Sequence, residues 1–194
     1  MSLWGALAFG FHLASRMAYV VWVGRALHQQ DQYQRFTRDG RIEAGFQRFR
    51  RTASTIMNID GVSFVVLVLL TRDTMSIDLP RWMVLLGGGL LVLAGAGIKL
   101  WAAASLGGKA YYWYNFFDPA APVVARAPGP YRFIRNPMYT LGYLQTYGLA
   151  IMFGSLPALI AGGFDQIAVL VFNHVVERPH YARLIRRAPL EPER

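Results

Sequence analysis

Residues 136–176 read NPMYTLGYLQTYGLAIMFGSLPALIAGGFDQIAVLVFNHVV, and Asp165 is their one formally charged side chain. A continuous helix of that length would extend roughly 60 Å at 1.5 Å per residue, against a hydrocarbon core of about 30 Å. The stretch therefore predicts a fold-back rather than one crossing. Gly154-Ser155-Leu156-Pro157 is the preferred break, because proline suits the first turn of a new helix. Gly162-Gly163-Phe164-Asp165 is the rival.

Working outward, residues 3–23, 52–71 and 82–106 are three further apolar segments long enough to cross a bilayer. With the hairpin they predict an all-α, polytopic transmembrane bundle of about five spans, a single domain over residues 1–194 whose last two spans form a helical hairpin. Hydrophobic residues make up 54% of the chain and its mean hydropathy is positive, which suits a bilayer better than a water-surrounded core. The absence of cysteine excludes disulfides, thiolate metal sites and cysteine nucleophiles. The first 15 residues carry no basic residue, so the charged start of a secretory signal is missing and the N-terminus reads as a retained span.

The connectors differ in charge. Residues 25–51 hold seven arginines against Asp31, Asp39 and Glu43; residues 106–135 and the tail are also positive, whereas 72–81 is balanced. Five spans with an outside N-terminus put all three basic segments in the cytoplasm, as expected for a bacterial inner-membrane protein. The net charge of +9 lies between hydrophobic runs and points to anionic lipid headgroups rather than nucleic acid.

Four constellations could carry chemistry. The first is Gly129-Pro130-Tyr131-Arg132-Phe133-Ile134-Arg135-Asn136-Pro137-Met138-Tyr139. Proline before a hydrophobic helix is an ordinary start signal, and interfacial Tyr and Arg are ordinary anchors. However, Pro128, Pro130 and Pro137 stiffen the backbone around Arg132 and Arg135, whose planar forks suit a carboxylate or phosphate. The second is Asn173-His174-Val175-Val176-Glu177-Arg178-Pro179-His180, where His174 and Glu177 are spaced to share a helix face and Glu177 is a candidate general base. A metal site built from these and His180 lacks the tighter spacing of open zinc motifs, and none is expected. The third is the aromatic run Tyr111, Tyr112, Trp113, Tyr114, Phe116 and Phe117, either an interfacial belt or a cage for an amine cation. The fourth is the set of polar residues at depth: Asn58, Asp60, Lys99 and Asp165. Lys99 is expected to snorkel, His12 and Arg16 to pair with an acid such as Asp60, and Asp165 has no assigned partner.

The first and second constellations resemble the GPYR-x-x-RHPMY signature and the Glu-Glu-Pro-His ending of an integral-membrane methyltransferase superfamily, which joins isoprenylcysteine carboxyl methyltransferases and phospholipid N-methyltransferases. The resemblance covers residues 82–181, with Gly154-Ser155 at the hairpin tip. Tyr131, Arg135, Pro137, Tyr139 and Glu177 fall on signature positions; Asn136 stands where histidine is usual, and Arg178 where a second acid is. It implies S-adenosylmethionine as methyl donor, bound at the cytoplasmic face by Tyr131, Arg132, Arg135, Asn136, Pro137, Tyr139, His174 and Glu177. Arg135 or Arg132 would hold the donor's carboxylate. Glu177, with Arg135 and Tyr139, would act at the reacting centre, and Tyr111, Tyr112, Trp113 and Tyr114 would receive the substrate.

The aromatic run favours an amine acceptor such as the phosphatidylethanolamine headgroup, since each N-methylation builds a cation that ring faces attract. A carboxylate on an isoprenoid or lipidated molecule is the nearest alternative. A sterol-reductase-like enzyme using NADPH and a non-enzymatic protein of the same fold are the others.

Overall fold

The computed structural model describes residues 1–118 and 129–187; the expectations on Pro128 and on the tail beyond residue 187 lie outside them. Among the described residues the regular structure is helical: α1 Leu3–Tyr33, α2 Ile42–Leu70, α3 Arg81–Tyr111, α4 Leu144–Met152, α5 Leu156–Phe172 and α6 Arg178–Arg187. Four helical segments are long and apolar enough to cross a membrane, and the protein is an integral membrane protein. The remaining leg of the hairpin is shorter than the sequence suggests. α4 has nine residues, about 14 Å at 1.5 Å per residue, preceded by a 3₁₀ turn at Leu141–Tyr143.

That short leg leaves backbone groups to satisfy, and non-helical backbone at membrane depth survives only where protein or water covers it. Gln166 on α5 supplies the cover, its Nε2 donating to the carbonyls of Tyr139 and Thr140 at 3.1 and 3.3 Å. Tyr147 Oη donates to Gln166 Oε1 at 2.6 Å and holds the amide in place. Small residues let α4 lie close against α3: a Cβ on Gly148 would stand 2.5 Å from the Gly88 carbonyl oxygen, and one on Gly95 would stand 2.2 Å from the Gln145 nitrogen.

The chain reverses at the preferred break. Gly154 takes φ 58°, Ser155 caps α5 by accepting from the Ala158 N–H at 3.1 Å, and Pro157 lies in the first turn. The connector after α2 pins this tip: Asp73 and Met75 N–H groups donate to the Phe153 and Gly154 carbonyls, and the Thr71 and Ser155 hydroxyls lie 2.6 Å apart. At the other end, Lys109 pairs with Glu43 at 2.8 Å, and His180 and Arg183 bond Asp31. The described parts of the three basic segments thus gather at one end of the bundle, as the charge pattern predicts.

The outer surface is apolar. Leu3, Trp4, Leu93 and Leu100 are each 70% exposed or more, and only 17% of the most apolar window of α3 is buried within the protein. Inside, the core is layered. One apolar cluster (Ala8, Leu67, Ala158 and neighbours) lies toward the hairpin tip, and another (Val23, Phe46, Phe49, Phe172 and neighbours) toward the basic end. Between them lies a buried polar layer. Arg16 on α1 pairs with Asp60 on α2 at 2.6 Å and with Asp165 on α5 at 2.9 Å. His12 bridges Ser63 at 2.8 Å and Asp165 at 3.1 Å. The expected pairing of Arg16 with Asp60 is present, and Asp165 supplies the acid that His12 needs. Lys99 differs from expectation: it does not snorkel but lays its ammonium 5.0 Å from the centre of the Tyr143 ring, toward this layer. Such a cation lowers the cost of two buried carboxylates more inside the bundle than at the headgroups.

Candidate active site

The signature turn starts at a 3₁₀ turn, Gly129–Arg132. Gly129 has φ +58°, and a Cβ there would meet Ser105 Oγ at 2.1 Å, so only glycine fits against α3. Pro130 and Pro137 are buried and anchor the segment, while Asn136 sits at φ 59° in the left-handed region. Asparagine and histidine are among the residues that tolerate this backbone best, so the departure from the usual histidine leaves the local fold intact.

α5 does not pass directly into α6. A single π turn, Asn173–Glu177, joins them, and its wider winding rotates successive side chains less per residue than an α-helix does. This overturns one expectation. His174 and Glu177 do not share a face: His174 is exposed and its Nδ1 meets Arg178 Nη1 at 3.5 Å, whereas Asn173, four residues before Glu177, turns inward with it.

Glu177 is 6% exposed and is the centre of a polar network. Its Oε1 accepts from Trp113 Nε1 at 2.5 Å and from Tyr139 Oη at 2.7 Å, and its Oε2 accepts from Asn173 Nδ2. Asn136 Nδ2 donates in turn to Asn173 Oδ1 at 2.9 Å. The network joins both signature segments and the aromatic run. These three donors to Glu177 are neutral, and no described cation forms an ion pair with it. A buried carboxylate so placed attracts a positive charge, because hydrogen bonds alone offset only part of its lost hydration. Tyr131 is half-buried nearby. Burial, and next the Glu177 charge, raise its hydroxyl above the ordinary tyrosine value, so it remains a proton donor.

The other sequence-derived residues divide. Arg132 and Arg135 are exposed and pair with no described acid. The four aromatics expected to form one substrate cage do not converge. Trp113 is buried against Phe49 and Phe172, Tyr114 packs edge-on to Phe46 under Lys109, and Tyr112 lies against Tyr111 and Arg50. The reason is the amphipathic position of this run at the bundle's end, where rings fill the core before they line a cavity. Among the described residues no group of three or more His, Asp or Glu is arranged to hold a metal ion. Sequence reasoning missed Asn173, although its spacing of four from Glu177 was a usable signal. It also missed the Asp31–His180–Arg183 tie and the stacking of His180 on Phe116, centroids 3.6 Å apart, which carried none.

A family model described as phospholipid methyltransferase matches residues 83–187. The chain is 29% identical over 135 residues to a phosphatidylethanolamine N-methyltransferase of Saccharomyces cerevisiae, covering 70% of this chain and 15% of that protein. It is 30% identical over 146 residues to one of Pyricularia oryzae (73% and 15%) and 26% identical over 144 residues to one of Candida tropicalis (70% and 17%). It therefore spans about a sixth of the length of these curated relatives. No solved structure gives a significant match.

Proposed function

Since the chain belongs to the phospholipid methyltransferase family, we propose that it methylates a membrane phospholipid, using S-adenosylmethionine, at the amine of a phosphatidylethanolamine-type headgroup. The observation that carries this reading is the buried Glu177 carboxylate, held by Trp113, Tyr139 and Asn173 and lacking a described cationic partner. The relatives reported above are named for phosphatidylethanolamine N-methylation.

The donor would bring an activated methyl group on a sulfonium, together with a carboxylate and an amine. The chain's own residues match that charge distribution. Glu177 faces a positive charge and is the base that accepts the proton an ammonium must lose before its nitrogen can attack. Tyr139 and Trp113 hold its Oε1, so the carboxylate does not swing when charge arrives. Arg135 and Arg132, free of described acids at the rim, hold a carboxylate, and Tyr131 and Asn136 add neutral donors. Pro137 fixes the backbone between them. The apolar walls of the bundle exclude water, and alignment with exclusion is most of what a displacement of this kind requires. The basic end of the bundle faces the cytoplasm of a bacterial inner membrane and meets anionic headgroups, while the acceptor enters sideways from the bilayer.

The test is incubation of the purified full chain with radiolabelled S-adenosylmethionine and vesicles containing phosphatidylethanolamine, followed by chromatography. Label in a methylated lipid is the expected result. Label confined to a carboxyl ester, or no label with donor bound, refutes the amine assignment.

A further inference from the structure

A groove of about 460 Å³ opens between the end of α1 and the start of α6, and Glu177 is not among the residues that line it. Its walls divide by chemistry. Gly24, Val175, Val176 and Pro179 are its apolar part, and Arg25, His28 and Arg183 its polar part, with the ring of Phe116 also lining it. Helix lengths set its depth. Counting from Leu3 along α1, or from Leu156 along α5 and the π turn, Gly24 and Val176 both lie roughly 30 Å from the opposite boundary, which is the thickness of the hydrocarbon core. The two counts agree because the residues touch: a Cβ on Gly24 would be 3.4 Å from Val176 Cγ2. The apolar wall is therefore at the hydrocarbon edge; Arg25, the next residue, stands at that edge, and His28 one turn farther out, among headgroups.

The charges are unbalanced. Asp31, the one acid lining the groove among the described residues, is already bonded by His180 Nδ1 at 2.9 Å and by Arg183. Arg25 is exposed and no described acid pairs with it. We propose that this groove is a second lipid site, distinct from the methyl-transfer pocket. It takes an anionic phospholipid, with the phosphate between Arg25, His28 and Arg183 and the start of an acyl chain on Gly24 and Val176. The occupant bridges α1 to α6. It also rests on Phe116, whose ring stacks on His180 and which lies three residues from the Trp113 that holds Glu177. Occupancy of the groove thereby braces the back of the candidate active site. This inference is independent of which donor or acceptor the Glu177 pocket takes.

The experiment is thermal unfolding of the purified full chain in uncharged detergent, titrated separately with phosphatidylglycerol, phosphatidylcholine and inorganic phosphate. Phosphatidylglycerol raises the midpoint at the lowest concentration, and inorganic phosphate leaves it unchanged. Arg25→Gln raises the half-saturating phosphatidylglycerol concentration about fivefold, the value of one basic side chain near a charged bilayer surface. His28→Gln, an independent change in the same wall, weakens it in the same direction. Arg51→Gln removes the same charge at an exposed position outside the groove and leaves the titration unaltered. The proposal is overturned if Arg25→Gln titrates like the unaltered chain, if Arg51→Gln weakens binding equally, or if phosphatidylcholine or inorganic phosphate stabilises as well as phosphatidylglycerol.

Discussion

Replacing Glu177 by glutamine changes one oxygen for one NH₂, and the network shows what that does. Oε1 accepts from Trp113 and Tyr139, and Oε2 from Asn173 Nδ2, whose own Oδ1 accepts from Asn136. In Glu177→Gln the oxygen keeps the two ring donors, so the new NH₂ confronts the Asn173 NH₂. Rotating the Asn173 amide cures that clash but turns its NH₂ onto that of Asn136, which must rotate as well. Either two amides reorganise or one buried bond is lost, at about 1–3 kcal/mol. The negative charge disappears in both cases. Its hydrogen-bonded interaction with a cationic ligand is worth about 1.5–3 kcal/mol, or roughly 10- to 150-fold in dissociation constant. The variant should remain folded, bind the methyl donor 10- to 150-fold more weakly, and lose turnover. Titration calorimetry with S-adenosylmethionine and the radiolabel assay measure the two effects separately. A folded Glu177→Gln protein with unchanged donor affinity and normal turnover would refute the role given to this carboxylate.

Other outcomes follow from the same geometry. Arg135→Ala should weaken donor binding by about 1.5–3 kcal/mol with little change in thermal stability, since the side chain is exposed and pairs with no described acid; an unchanged dissociation constant in calorimetry removes Arg135 from the site. Asn136→His should be tolerated in the turnover assay, because histidine also adopts the left-handed backbone seen at φ 59°; a folded but inactive variant would show that the Asn136–Asn173 bond is indispensable. Arg16→Met should cost about 3–5 kcal/mol in detergent unfolding, as it strands Asp60 and Asp165 in the bundle, and adding Asp165→Asn should recover part of the loss. A loss below about 1 kcal/mol would mean water already screens the layer. Ser155→Ala should cost about 1 kcal/mol through its cap, and unaltered unfolding would mean that the connector bonds alone hold the hairpin tip.

Much of the fold was legible in the residues. The break at Gly154-Ser155-Leu156-Pro157 was readable because a left-handed glycine, a capping serine and an early proline act within one turn of chain. The alternation of basic and neutral connectors foretold which segments meet at one end, since charge patterns along a membrane protein are set against a flat, external boundary. The short fourth leg was not legible. Nothing local to 136–143 says that Gln166, more than twenty residues later, will satisfy its carbonyls.

The site divides in the same way. Backbone stiffness, the glycine at residue 129 and the acid at residue 177 belong to the sequence alone, because each acts through its own torsions or its own charge. Which side chains surround that acid was decided by tertiary structure. One π turn took His174 out and brought Asn173 in, and the end of α3 delivered Trp113 from 64 residues away. The buried layer of Arg16, Asp60 and Asp165 has the same origin: three helices each carry a costly charge, and only their packing brings the charges close enough to offset one another.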